Sequence, residues 1–380
     1  MLLENNSYPQ DIRVRREAEA LVRAGHRVRV VAPRGAGQCR AETVAGVEVR
    51  RFRVPEARAG AASFALEFLV AGVRLQLAAL VELARGASVL HLHNPPDLLA
   101  VAGLLARLLR RRVVFDHHDL FPELVAEKAP GRALVAIARA GERATFAVCD
   151  LVLSTNESMA EIARTRGCVR AERVVVVRNG PPAAWLEQAR PGRTGALRDP
   201  HLIYVGAISS QDGVQRVAEL LRLLTREHGL DRARLTIVGE GDARAQVERA
   251  LADAGVSGCV DWAGWVAVEQ IPALLGAADI CIDPAGPSPL NHRSTMIKIA
   301  EYLTAARPVV AFDLLETRRT LGGAGVLVSG GDVGALAAAC ARLAGDGSER
   351  ASLSCAAVAR AASLTWEHSE RALLDAYDRL

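Results

Sequence analysis

Aromatic side chains are scarce in this sequence. Phe, Trp and Tyr make up 4% of 380 residues, so Leu, Val and Ala must fill any core. The basic residues are not interleaved with aromatics as in nucleic-acid-binding modules, and no nucleic-acid partner is expected. Lysine is scarcer still: of 47 basic side chains only Lys128 and Lys298 are lysines, an arginine bias without functional content. No C-x-x-C pair occurs among the seven cysteines, which fits a reducing compartment, the cytoplasm, better than a disulfide scaffold. No charged segment, apolar core and cleavage site open the chain, so no signal peptide is expected. The most apolar stretch, 59–84, is interrupted by Glu67, Arg74 and Glu82; it is too polar to span a bilayer but suits an interfacial helix. P-loop and G-x-G-x-x-G patterns are both missing, and Gly239-Glu-Gly241 is only a faint echo, which disfavours hydride transfer on a dinucleotide.

What is present is a chain long enough for two domains, half of it hydrophobic. The net charge of +4 is unevenly spread: residues 1–180 carry about 27 basic and 19 acidic side chains, the remainder about 20 and 24. A basic first half suits anionic lipid headgroups, an anionic acceptor, or simply solvated arginines.

Short β-branched runs alternate with helical patterns throughout, the signature of parallel α/β architecture. Strands are predicted at 27–32, 47–54, 89–93, 112–116, 151–154 and 173–178, with helices over 97–111 and 132–148. A Gly/Pro-rich stretch over 179–200 reads as an interdomain connection. Strands then resume at 202–205, 235–238, 260–263, 279–282, 308–312 and 325–328. The predicted fold is two Rossmann-like, doubly wound domains facing across a cleft: 1–180 on the acceptor side, with a C-terminal helix at 366–380 packing back on it, and 181–365 for the donor.

The most informative segment is Ser294-Thr-Met-Ile-Lys298-Ile-Ala-Glu301. Ser294 or Thr295 can cap a helix whose exposed N–H groups and positive dipole end suit a diphosphate. Lys298 and Glu301 share a helix face, a reasonable pairing for phosphate and ribose hydroxyls; a surface salt bridge on a capped helix reads equally well from local chemistry. His91 and His93 end a strand with their rings on one side. Asp116-His-His118-Asp119 follows the next strand end. Clustered histidines raise the question of zinc, but no ligand set recurs at a known spacing, and no metal is expected.

Together with Arg15-Arg-Glu-Ala-Glu-Ala-Leu-Val-Arg-Ala-Gly, Tyr204-Val-Gly-Ala, Ile237-Val-Gly-Glu-Gly, Ala278-Asp-Ile-Cys-Ile-Asp-Pro and Arg307-Pro-Val-Val-Ala-Phe-Asp, this segment resembles retaining glycosyltransferase family 4 (glycosyl transferases group 1), whose members have the GT-B fold. The likeness runs along nearly the whole chain, in a branch with an S-T-M-x-K-x-x-E motif. It implies transfer of a sugar from a nucleotide-diphosphate sugar with retention of configuration, and no cofactor beyond that donor. Acceptors of such enzymes are carbohydrate, lipid-linked or small molecules, and cell-surface polysaccharide or glycoconjugate assembly at the inner membrane face is one setting. Glu301 is then expected at the ribose, Gly206 near the diphosphate, Gly264, Trp265 and Val266 near the base, and Gly239 among the donor-binding residues. Arg293, Ser294, Thr295 and Lys298 complete the donor side. His93 is expected at the donor sugar, making His93, Lys298 and Glu301 the catalytic candidates. Asn6, Asp11, Arg13, His118 and Asp119 are placed toward the acceptor.

The departures matter too. Arg293 stands where many members have the first carboxylate of E-x7-E, and Ala207 and Asp212 stand where two phosphate-binding cations are common; Lys298 is expected to supply the missing charge. His292 stands where that branch has an acid. A non-catalytic nucleotide-sugar-binding subunit and a sugar-nucleotide epimerase are the competing readings. The first strand, only Met1-Leu-Leu-Glu, is expected to be very short or to continue upstream, weakening the first domain either way.

Overall fold

The structure, a computed structural model, describes residues 1–4, 6–54, 61–95, 99–128 and 131–380, the side chains of 61–69 and 127–128 excepted. The start of the predicted 97–111 helix and of the apolar 59–84 stretch lies outside the described residues. The chain divides into two compact units, residues 1–178 with 369–380, and residues 179–368.

In the first unit the strands are β1 (Arg29–Pro33), β2 (Ala41–Val44), β3 (Val47–Phe52), β4 (Val89–His93), β5 (Arg112–His117), β6 (Leu151–Ser154) and β7 (Val174–Val176). They run in the orders β2-β3-β1 and β4-β5-β6-β7, all parallel except the β2–β3 pair. Leu2 joins the two halves, bridging Val31 on one side and Leu92 on the other. Beside it, between β1 and β4, lies an open cavity of about 500 Å³. The Met1 amine is buried there, and burial pushes its pKa down to about 5. The helices are α1 (Ile12–Arg23), α2 (Ala61–Ala84), α3 (Ala100–Leu108), α4 (Phe121–Lys128), α5 (Arg132–Val148) and α6 (Glu157–Thr165). The Asp11 carboxylate caps α1, accepting the Val14 N–H at 2.9 Å. The C-terminal helix Trp366–Tyr377 ends on this unit, Leu374 and Tyr377 packing against the core around Val30 and Val49.

The second unit carries β8 (His201–Val205), β9 (Arg234–Val238), β10 (Val260–Gly264), β11 (Ile280–Asp283), β12 (Val309–Phe312) and β13 (Val326–Val328), all parallel in the order β10-β9-β8-β11-β12-β13. The inner strands β9, β8, β11 and β12 are mostly buried apolar runs because helices cover both faces, whereas the edge strand β10 alternates half-buried and exposed residues. Leu202, Tyr204, Ile237 and Ile280 enter one core, and Ile203, Val205, Cys281 and Val309 the other, as a two-residue side-chain period requires.

The 179–200 stretch is not a free connection. It belongs to the second unit, forms a short helix at Ala184–Glu187 that buries Trp185, and is tied down by the Leu197 N–H to the Ala344 carbonyl at 2.8 Å.

Candidate functional sites of the two units

The strand order of the second unit reverses between β8 and β11, and open parallel sheets bind ligands beyond the strand ends at such a point. Gly206 directly follows β8, with φ at 147°. A side chain there would meet the Lys298 Cε at 2.8 Å. Gly239, after β9, abuts it: a Cβ would lie 2.0 Å from the Gly206 carbonyl oxygen. The Gly239 N–H donates to the Gly264 carbonyl at the end of β10, at 2.7 Å. Three strand ends and Lys298 thus converge, and only glycine fits where the loops touch.

Lys298 is in the first turn of the helix Ile297–Thr304 and is buried. Its Nζ lies 2.7 Å from Asp212 Oδ1, 3.6 Å from Asp283 Oδ1 and 3.4 Å from Tyr204 Oη, and 4.8 Å from the centre of the Tyr204 ring. Burial works against the ammonium, but Asp283, Tyr204 and Asp212 together raise its pKa, so it stays charged. Burial raises Asp283 despite Lys298. The lysine is therefore already matched by carboxylates, which its sequence context did not reveal. Tyr204 and Asp283 lie inside the quoted motifs and Asp212 at a position where the family commonly has a cation, but their pairing is non-local.

The capping expectation is corrected. The helix N-cap is Met296, without a side-chain cap bond, and the Ser294 hydroxyl donates instead to the Leu290 carbonyl at 2.9 Å. Residues 288–295 form turns rather than helix. Arg293 is exposed and donates to the Pro289 carbonyl of its own loop at 3.1 Å. Thr295 and Glu301 are half-buried, Val266 likewise, and the Trp265 ring is 77% exposed.

In the first unit the strand ends of β4 and β5 and the first turn of α1 meet in a buried polar cluster. Arg13, expected toward the acceptor, is 5% exposed. Its Nε and Nη2 donate to the two oxygens of Asp116, both at 2.7 Å, its Nη1 donates to the Val177 carbonyl at 2.8 Å, and Glu17 lies 3.1 Å away. His93 Nδ1 lies 2.9 Å from Asp116 Oδ2, and the His91 and His93 rings stack at 4.3 Å. Tyr377 Oη is 2.7 Å from His91 Nδ1. Asn94 Oδ1 accepts the backbone N–H groups of His118 and Asp119 at 2.8 and 3.1 Å.

Charge within this cluster is strongly biased. Burial would raise Asp116, but Arg13, His118 and His93 hold it well below the ordinary carboxylate range. Burial lowers His93 and, more strongly, His91, so both rings are neutral near pH 7. Burial also opposes protonation of His118, yet Asp116 and Asp119 push it up to about 9. Glu17 is pushed up to about 8 by burial, in spite of Arg13. With His93 Nδ1–H donating to Asp116, its Nε2 lone pair is buried and has no hydrogen-bond partner among the described residues. Glu17, His91, His93 and Asp116 offer ligand-type atoms within 4.8 Å of one another, but the Arg13 guanidinium already lies against both Asp116 and Glu17 and supplies the counter-charge for Asp116. Glu17 and Tyr377 were not legible as site residues. Asp11 serves as a helix cap, and Asn6 is exposed, its side chain accepting the Ser7 N–H at 2.8 Å.

Residues 10–180 match the family described as glycosyl transferase 4-like domain, and residues 199–346 that described as glycosyl transferases group 1. A D-inositol 3-phosphate glycosyltransferase of Nocardia farcinica is 30% identical over 290 residues, 70% of this chain; the chain spans 62% of that relative's length. Among solved structures, sucrose-phosphate synthase from Thermosynechococcus elongatus aligns over 100% of this chain and 98% of its own with a TM-score of 0.77 at 17% identity. HepE of Anabaena in complex with UDP aligns over 100% and 99% with a TM-score of 0.71 at 16% identity. The two domains are thus matched in order, a glycosyl transferase 4-like domain over 10–180 and a glycosyl transferases group 1 domain over 199–346, and the fold is GT-B.

Proposed function

We propose that the protein transfers a sugar from a nucleotide-diphosphate sugar to an acceptor hydroxyl, with retention of anomeric configuration and without a metal or other cofactor. The observation that carries this reading is the meeting of Gly206, Gly239, Gly264 and Lys298 at the strand switch point of the second unit. That HepE, which shares the fold, is solved in complex with UDP supports a nucleotide donor.

Bond breaking between the anomeric carbon and the phosphate oxygen leaves charge on the diphosphate. Lys298 and the N–H groups at the start of its helix stabilise that charge most in the transition state. Position 212, where a cation is common in the family, is here a carboxylate, and the Lys298 ammonium reaches to it from the helix. The diphosphate displaces Asp212, which is partly exposed, while buried Asp283 keeps the lysine aimed. The acceptor hydroxyl attacks from the face the phosphate leaves, and its proton passes to the departing phosphate oxygen. The free His93 Nε2 accepts a hydrogen bond from a sugar hydroxyl. Glu301 takes the ribose, Trp265 and Val266 flank the base, and Arg293, Ser294 and Thr295 border the donor. Arg13, His118 and Asp119 lie toward the acceptor: a carbohydrate, a lipid-linked sugar or a small molecule, with cell-surface polysaccharide or glycoconjugate assembly in the cytoplasm as the setting.

Thermal stabilisation by UDP-, GDP- or dTDP-sugars identifies the donor. With that donor, Lys298→Ala should lower turnover by about 2–4 kcal/mol, roughly 30- to 1000-fold; unchanged turnover removes the role. Anomeric coupling constants of the product check retention, and activity in EDTA checks metal independence. The carboxylates facing Lys298 favour one second reading, a non-catalytic nucleotide-sugar-binding subunit. Donor binding with neither hydrolysis nor transfer would establish it.

A further inference from the structure

Among the described residues fifteen large hydrophobic side chains are exposed, and ten of them belong to α2, α3, α5 or the residue ending α3. On α2, Val73, Leu77, Leu80 and Val81 recur every three or four residues and form one outward stripe. On α3, Val101, Leu104 and Leu108 do the same, and Leu134 and Ile137 follow on α5. The three helices form one continuous layer. The Ala102 N–H of α3 donates to the Gln76 side chain of α2 at 2.8 Å, and Arg107 of α3 donates to the Ala147 carbonyl of α5 at 3.0 Å. An apolar surface repeated on three adjacent helices is unusual for a face that meets only water.

Among the described residues its exposed charge has one sign. Arg74, Arg85, Arg107, Arg110, Arg139 and Arg143 are all exposed on these helices or their ends. The described carboxylates of the layer, Glu82 and Glu142, are buried on its inner side, held by Arg29 and Arg85 and by Arg166 respectively. Beside α5 an open groove of about 890 Å³ is lined by Val135, Ala136 and Ala140 together with Arg132, Arg139 and Arg143. No described helix is long and apolar enough to cross a membrane, so the layer lies along a surface rather than through it.

We propose that the outer face of α2, α3 and α5 docks on an anionic lipid bilayer. The leucines and valines enter the headgroup–acyl boundary, and the arginines contact lipid phosphates and free carboxylates. A protein partner would need acids matched one by one to these arginines, whereas a bilayer needs only diffuse negative charge. The proposal does not depend on the donor or on the reaction. It sharpens the basic first half read from sequence into one face.

The test is sedimentation of the full chain with vesicles of phosphatidylcholine alone or with about 30% phosphatidylglycerol. Binding to the anionic vesicles, at least tenfold weaker to the neutral ones and weakened again by salt, is expected. Leu104→Asp with Leu108→Asp should cut the anionic partition at least tenfold, and Arg139→Glu with Arg143→Glu should abolish the preference for anionic lipid. Because these side chains are exposed, melting temperature and nucleotide binding should stay as in the parent chain, which separates lost docking from lost folding. Equal binding to both vesicle types, or partition unaffected by the Leu104/Leu108 pair, overturns the proposal. So does a dimer in solution that this pair converts to monomer, since the face would then belong to a second copy. None of these readouts involves sugar transfer, so the docking face and the catalytic reading fail separately.

Discussion

In the second unit the first strand, β8, pairs along five residues with β9 and is flanked on its other side by β11; in the first unit the equivalent central position is held by a single bridged residue, Leu2. The polar content differs in the same sense. The second unit builds its site from glycine loops and one lysine with two carboxylates. The first buries Arg13, Glu17, Asp116 and three histidines against strand ends. Two sheets of one design therefore depend on different forces where their sites are. Backbone pairing fixes the donor-side loops, whereas an ion-pair cluster must fix the strand ends of the first unit.

The largest expected effect follows from that cluster. Asp116 accepts both nitrogens of the Arg13 fork and the His93 ring. In Asp116→Asn the guanidinium stays buried beside Glu17 without its main counter-charge, and breaking such a pair costs about 3–5 kcal/mol. Denaturant unfolding should show this loss in the first unit, while nucleotide binding by the second unit survives. A loss below about 1 kcal/mol would mean that the cluster does not hold the first unit together.

Sequence reading captured what is periodic and missed what is non-local. β4 and β6 match their predicted bounds because 89–93 and 151–154 are short apolar runs closed by turn residues. β2 was missed because Ala41–Val44 is an almost wholly exposed edge strand with no apolar period to read. The helix start at 294 followed capping propensity, but Ser294 serves the preceding turn and the helix opens at Ile297. Lys298 was found by its motif, whereas its partners, Asp212 and Asp283, come from two other strand ends. Arg13 was expected toward the acceptor but without its partner, since Asp116 is 103 positions away.

A smaller effect, and one that separates the units by pH, comes from His118. Its folded pKa of about 9 lies above the ordinary 6.5. Its contribution is therefore fully present below about pH 6.5 and is lost as pH rises through about 9. The shift bounds that contribution at about 3 kcal/mol. The groups facing the ring are Asp116, Asp119, Arg13 and His93. Glu17, pushed up to about 8, acts in the same direction between about pH 4.5 and 8, so the wild-type curve alone does not isolate the histidine. The difference between wild type and His118→Asn does. It should be largest below pH 6.5 and vanish above pH 9, and a difference constant with pH would refute the assignment.

The smallest expected effect concerns the sheets themselves. The cavity of about 500 Å³ beside Leu2 leaves its lining without packing partners on one side, and the bridge there rests on few bonds, such as Leu2 N–H to His91 carbonyl at 2.9 Å and Val31 N–H to Met1 carbonyl at 2.9 Å. The inner second-unit strands, β8 among them, have buried cores on both faces. Local opening should therefore be easier in the first unit, and native-state hydrogen exchange should show the amides of Leu2 and Val31 exchanging about tenfold faster than those of β8. Equal protection at both sheets would show that the Leu2 bridge closes the first sheet as firmly as β8 closes the second.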